Sequence, residues 1–308
     1  MLVVRRKGNK ESEKCRRHDQ CITQDLSPAK LKRNMDILER IVAHKKQEVE
    51  QDKLRVKIID LVQSPMFKEA TYSLKKSLNT ANSSGIIAEH KRKSPSLGFI
   101  NEHSVAANVC EGYQTSGAAC VSILTDNHFF GGTNYDLTSA RKKLHIPILR
   151  KDFIVDEYQI FETKALGADV MLLIAECLTK KEVLDFAKTA YNLGLEVLLE
   201  IHSSEQLEKI NDYITCVGIN NRNLKTFVTD FDASMRLGEK LPTNFIKISE
   251  SGLSKPETIV SLRNAGFKGF LMGEAFMKTE NPAEALKRFI ENVNTKTNLA
   301  GFYLISGS

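Results

Sequence analysis

The sequence predicts a single (β/α)8 TIM barrel with an N-terminal helical extension, on three observations. Eight short apolar runs recur between residues 86 and 272, most of the segments between them carry a helical 3.6-residue period, and the runs are too uniformly apolar to leave one face in water. The runs are 86–88, 120–124, 147–149, 170–175, 197–201, 216–219, 245–248 and 269–272. Between them lie stretches such as "DEYQIFETKALGA", "TKKEVLDFAKTAYNLG", "SSEQLEKINDY" and "KPETIVSLRNAGFKG", several closed by a Gly where a helix C-cap favours a left-handed residue. Eight βα units in about 210 residues match the smallest closed parallel barrel. A doubly wound open sheet is the alternative, but it would carry a Gly-rich fingerprint after its first strand, and "EHKRKSPSLG" is not one.

Ahead of the first strand, "MDILERIVAHKKQEVEQDK" opens at Met35 with the rhythm of an amphipathic helix through Ile37, Leu38, Ile41, Val42 and Val49. The barrel domain is therefore expected over 35–293, with 35–84 as its extension and 294–308 as a C-terminal tail. Residues 1–34 hold ten Lys/Arg against four Asp/Glu, which accounts for the whole net charge of +6. With almost no apolar periodicity, this segment reads as a basic, disordered tail that adds nothing to the core. It lacks the interleaved aromatics of a stacking platform, so no nucleic-acid partner is expected. No run approaches a membrane span, and the three apolar residues of "MLVVRRKGNK" fall far short of a signal peptide, so a cytoplasmic protein without a membrane partner is expected. Six cysteines without a CxxC pair point to reduced thiols, and the lone Cys15, His18, Cys21 grouping has no second ligand cluster, so no metal is expected.

In a barrel of this kind the chemistry sits at the C-terminal ends of the strands. The first strand runs from Ile86 straight into Glu89 and Lys91; the third ends in Lys151, the fifth in Glu200, the sixth in Asn220 and Arg222. The seventh ends in Glu250, Ser251 and Gly252, and the eighth in Gly273 and Glu274. A single Lys or Glu at a strand end is ordinarily its solvated exit. Five strands ending this way place both lysines and carboxylates around one mouth, where they can satisfy one another and a ligand. The "ESG" and "MGEA" turns follow the strands that usually build the phosphate site of such barrels. Backbone N–H groups of Gly252, Gly273 and Glu274, the Ser251 hydroxyl and a nearby lysine are the expected cradle, and the ligand is a small phosphorylated molecule. A bulky side chain at Gly252 or Gly273 is expected to obstruct it.

The blocks "IIAEHKRKSPS", "SILTDNHFFGGT", "PILRKDFIVDEYQI", "GADVMLLIA", "LGLEVLLEIH", "GINNRNL", "ISESGL" and "FLMGEAFM" resemble, in order and spacing, those of the indole-3-glycerol phosphate synthase family over about residues 35–293. Related phosphate-binding barrels share the "SG" and terminal Gly turns but not the "E-x-K-x-x-SPS" or "LRKDF" blocks. The resemblance implies conversion of 1-(2-carboxyphenylamino)-1-deoxyribulose 5-phosphate to indole-3-glycerol phosphate in tryptophan biosynthesis, with no cofactor. It implies Lys151 as general acid, Glu200 as its base or acid partner, Lys91 as a phosphate or carboxylate contact that also serves as a proton donor, and Glu89 as the carboxylate orienting the lysines. Asn220 and Arg222 then position the substrate, with Ser94 and Phe130 contacting it from the loops after the first two strands and Glu250 and Ser251 from the loop after the seventh.

Two departures bear on this reading. Leu97 stands where many relatives carry Lys, in a loop on which substrate closure depends, and Glu274 stands where some have Ser. A silent phosphate-sensing barrel would not need Lys151 and Glu200, and another phosphosugar isomerase would not need Lys91, Lys151 and Glu200 together. No apolar patch in the sequence commits the barrel to an oligomeric state.

Overall fold

Eight parallel strands close on one another in the computed structural model, which describes residues 35–222 and 229–305. They are β1 (Ile86–His90), β2 (Cys120–Leu124), β3 (Ile148–Lys151), β4 (Val170–Ile174), β5 (Glu196–Ile201), β6 (Cys216–Asn220), β7 (Ile246–Glu250) and β8 (Phe267–Met272). The ring closes where Ile86, Ile87 and Ala88 pair with Phe270, Leu271 and Met272. Several strands run beyond their apolar cores. β1 continues through Glu89 and His90, β3 through Lys151 and β7 through Glu250, because in a closed ring each backbone still has a neighbour to pair with.

Strand alternation sorts the apolar side chains into two sets. Ile87, Cys120, Leu149, Leu172, Leu198, Cys216 and Ile248 fill the barrel, while Ile86, Val121, Ile148, Met171, Val197, Val217 and Phe270 pack outward on the helices. On four strands of the inward set, a step of two toward the C-terminal end exchanges a hydrocarbon for a charged or acidic group: Ile87 for Glu89, Leu149 for Lys151, Leu198 for Glu200, Ile248 for Glu250. The opposite end is plugged by Leu74 and Leu78 of the short helix Leu74–Asn79. Its cap Ser73 accepts from Lys76 N and donates to Glu196 at 2.5 Å, which pins the helix beneath β5.

The helix α1 (Ile37–Arg55) buries Leu38, Ile41, Lys45 and Val49, one stripe at i, i+3 and i+4 spacing. Glu39 in its first turn and Lys53 and Arg55 in its last complement the helix dipole. Lys45 is only 1% exposed. Its ammonium lies 3.1 Å from Asp126 and 3.0 Å from Asp152, beyond the ends of β2 and β3, and 3.0 Å from Glu48. Burial opposes the charge, but the three carboxylates hold the lysine well above its ordinary range.

Ile37–Ser308 forms one compact unit. The final helix, Pro282–Ile305, runs through residue 293, so the segment beginning at 294 continues a barrel helix and is not a separate tail. The basic segment 1–34 and its Cys15, His18, Cys21 grouping lie outside the described residues.

Candidate active site

At the C-terminal mouth of the barrel a cavity of about 160 Å³ is lined by Glu89, Lys91, Ser94, Phe130, Lys151, Glu200, Asn220, Arg222, Glu250 and Ser251. Two lysine–carboxylate groups meet there. Lys151 Nζ is 3.0 Å from Glu200 Oε2 and 3.7 Å from Glu250 Oε2, and Lys91 Nζ donates to Glu89 Oε1 at 2.7 Å. Asn220 Nδ2 donates to the other oxygen of Glu200 at 2.8 Å, which fixes the carboxylate plane toward Lys151. Gly218 makes room for Glu250, since a Cβ there would overlap the Glu250 carboxyl.

The two buried glutamates beside Lys151 are not equivalent. Burial alone would raise the Glu200 carboxyl, but Lys151, His202 and the Asn220 hydrogen bond outweigh it and pull it down to about 2. For Glu250, burial and then the negative charge of Glu200 push it up to about 8, and its Oε1 has no hydrogen-bond partner among the described residues. Lys151 loses by burial and gains more from Glu200, Glu250 and Glu89, so it stays firmly charged. Of the two glutamates, Glu200 is the one held ionised beside the Lys151 ammonium, and Glu250 is the one disposed to hold a proton.

This assignment fixes a pH dependence. A carboxyl whose folded value lies near 8, against an ordinary 4.5, adds stability that is complete below about 4.5 and is lost as pH rises through about 8. The unaltered protein is therefore expected to lose thermal stability between about pH 4.5 and pH 8 and to level off above that. Glu250→Gln, which mimics the protonated form, should show a much flatter profile. Parallel profiles for the two proteins would contradict a protonated Glu250.

Besides Leu124, Leu172, Ile174 and Leu271 of the strands, two clusters build the apolar side of the cavity. Phe130 and Phe153 pack with ring centroids 5.9 Å apart, and Leu38 and Ile41 of α1 add the wall that Lys45 holds in place. Phe130 sits on the short helix Asn127–Phe130, which starts at an Asp126 side chain accepting from Phe129 N and ends at Gly131 in the left-handed region. Asp126 thus serves both the helix that carries Phe130 and the lysine that seats α1. Ser94 faces the cavity with its hydroxyl engaged in its own hairpin, Lys93–Ser94 with Gly98–Phe99, where it accepts from Leu97 N at 3.3 Å. Leu97 at the hairpin tip is 48% exposed.

After β7 the chain makes two successive left-handed residues, Ser251 at φ 70° and Gly252 at φ 73°. Asn221 clamps this turn: its Nδ2 donates to Ser249 Oγ at 3.1 Å, to Glu250 O at 2.7 Å and to Ser251 O at 2.8 Å, while Ser234 bonds its Oδ1. Sequence reading passed over Asn221 in favour of its neighbours. Gly252, Gly273 and Glu274 lie beside the cavity and outside its lining. A Cβ at Gly273 would come within 2.9 Å of Glu89 Cβ, and one at Gly252 would strike Thr229. A bulky residue at Gly273 therefore disturbs the carboxylate that holds Lys91 before it reaches any phosphate. At Gly252 it meets backbone strain and Thr229, so neither glycine is a clean probe of a phosphate site.

A parallel barrel whose strand ends gather two lysines and three glutamates against an apolar wall belongs to the class of barrel enzymes that carry out acid–base chemistry on an anionic substrate. The profile of indole-3-glycerol phosphate synthase matches residues 38–289. The indole-3-glycerol phosphate synthase of Bacteroides thetaiotaomicron is 47% identical over 258 residues, covering 84% of this chain and 99% of its own. That of Acidithiobacillus ferrooxidans is 38% identical over 82% of this chain and 97% of its own. The chain belongs to the indole-3-glycerol phosphate synthase family. Among solved structures, thiamine phosphate pyrophosphorylase from Pyrococcus furiosus superposes with a TM-score of 0.53 at 13% identity, over 72% of this chain and 98% of its own. KGPDC from Streptococcus mutans gives 0.51 at 16% identity, over 68% and 97%. Both likenesses are of fold alone.

Proposed function

We infer that this enzyme is a carboxy-lyase of tryptophan biosynthesis that converts 1-(2-carboxyphenylamino)-1-deoxyribulose 5-phosphate to indole-3-glycerol phosphate, releasing CO₂ and water. The observation that carries the site assignment is Lys151 held 3.0 Å from Glu200 and 3.7 Å from Glu250, in the same cavity as the Lys91–Glu89 pair. Ring closure joins the carboxyl-bearing carbon of the anilino ring to the sugar ketone, whose oxygen gains negative charge. Lys151 meets that oxygen as a fixed cation and then as its proton source. So firmly charged an ammonium is a weak acid toward water, but an alkoxide is far more basic than an amine, and the transfer runs downhill once the bond has formed.

Loss of CO₂ restores the aromatic ring. The former ketone oxygen must then leave as water, with one proton delivered to it and another removed from the adjacent carbon of the new five-membered ring. Glu200, ionised and oriented by Asn220, is the base in this reading, and Lys91, oriented by Glu89, is the second proton donor and a phosphate contact. Asn220, Arg222 and Ser251 position the polar substrate, Glu250 as a neutral acid donates to it, and Phe130 and Ser94 contact it from the loops. The phosphate lies toward the backbone of Gly252, Gly273 and Glu274.

Residues 35–293 are the working unit, with 35–84 integral to the site. No described helix is long and apolar enough to cross a membrane. The inferred setting is the cytoplasm, with a small phosphorylated substrate as the partner and neither nucleic acid nor membrane involved. The test is the appearance of indole-3-glycerol phosphate fluorescence when pure protein meets the carboxyphenylamino substrate. Absence of product from folded protein would overturn the activity.

A further inference from the structure

We propose that Glu274 occupies, in the unliganded enzyme, the place among the mouth's cations that the substrate's phosphate takes, so that binding exchanges one anion for another. This rests on the phosphate position proposed above. Glu274 directly follows Gly273 at the end of β8, and its carboxylate is shared: Oε2 lies 3.6 Å from Arg222 Nη2, and Oε1 is 2.6 Å from Lys278 Nζ. Burial would raise this carboxyl, but Lys278, then Arg222, then Lys91 outweigh it and hold it below the usual range. Lys91 and Arg222 line the cavity itself. A carboxylate therefore partly neutralises the cations that a phosphomonoester would need.

A dianionic phosphate beside Arg222 is disfavoured at short range by an ionised Glu274, because two like charges at contact repel even where water screens them. The side chain has somewhere to go. Glu274 and Arg222 are each about one third exposed, and Lys278 lies one helical turn on and outward, 54% exposed. Glu274 can release Arg222 and keep Lys278, so no charge is stranded during the exchange. Arg222, freed, presents a planar fork suited to phosphate oxygens. Affinity for the phosphate is then the difference between two anions competing for one guanidinium, which makes Glu274 a determinant of how tightly phosphorylated ligands bind.

The test is competition by inorganic phosphate against substrate at fixed ionic strength, in the unaltered enzyme and in Glu274→Gln. Gln keeps the bulk and hydrogen-bonding capacity and removes the charge. The phosphate inhibition constant is expected to fall about three- to tenfold in the variant, the scale of a partly exposed charge interaction. An unchanged constant overturns the proposal while leaving the phosphate position intact. A raised constant also overturns it, since the carboxylate would then be holding Arg222 ready for phosphate. If phosphate competes in neither protein, the phosphate position itself is wrong and the proposal falls with it.

Discussion

Lys151→Met is expected to lower kcat by about 10²–10⁴-fold, the range for losing a general acid, with kcat/KM falling equally and the barrel still folded. Met retains the length of the side chain and removes both charge and proton. The surroundings sharpen the expectation. With the ammonium gone, Glu200 and Glu250 remain buried side by side without the cation that keeps Glu200 ionised. Glu200 is then shifted toward its protonated form, though His202 and Asn220 still oppose that, and the variant is expected to lose some of its base together with its acid. Residual activity should therefore rise with pH in the variant as Glu200 ionises again, while fully exposed control substitutions leave the pH profile alone. If kcat survives and only KM rises, Lys151 is a binding residue, and Lys91 becomes the better candidate for the acid.

Lys45→Met should cost about 3–5 kcal/mol of stability, the penalty for breaking a buried ion pair by removing one partner. Asp126 and Asp152 are at most 2% exposed and would lose the cation between them. Asp152 keeps Arg150 and Thr125, whereas Asp126 keeps, among the described residues, its helix-capping bond alone, so the damage should concentrate at the helix that carries Phe130. Urea unfolding measures the loss. Glu48→Gln is the control, because that partner is 33% exposed and its pair with Lys45 is worth less than about 1 kcal/mol. A Lys45→Met midpoint no lower than that of the control would show that α1 is seated by its apolar residues alone.

The strands were legible because inward and outward faces are both dry. A buried parallel strand cannot hide among polar residues, and a charge at its end stands out against them. Glu89, Lys91, Lys151, Glu200 and Glu250 were found this way, and all line one cavity. Lys45 was missed for the opposite reason. On a helix, a lysine is ordinarily part of a solvated face, and "HKKQEVEQDK" is full of charges. The available signal was position: Lys45 stands four residues after Ile41 and four before Val49, inside the apolar stripe. Gly218 and Asn221 were illegible because their roles lie in what they adjoin. One is an absence of side chain beside Glu250, the other a set of hydrogen bonds to a turn whose left-handed Ser251 no local pattern announces.

The seat of Lys45 also dictates an order of assembly. As the chain is synthesised, α1 emerges ahead of the strands and can become helical on local contacts, but the carboxylates that receive its ammonium arrive roughly eighty and a hundred residues later. Until β2 and β3 are paired there is no pit for the lysine, and dehydrating it early would leave a bare charge in hydrocarbon. The ring itself cannot seal until β8, the last strand made, reaches β1. A helix made ahead of every strand is thus among the last to dock, and the wall of the cavity is finished only after the barrel beneath it.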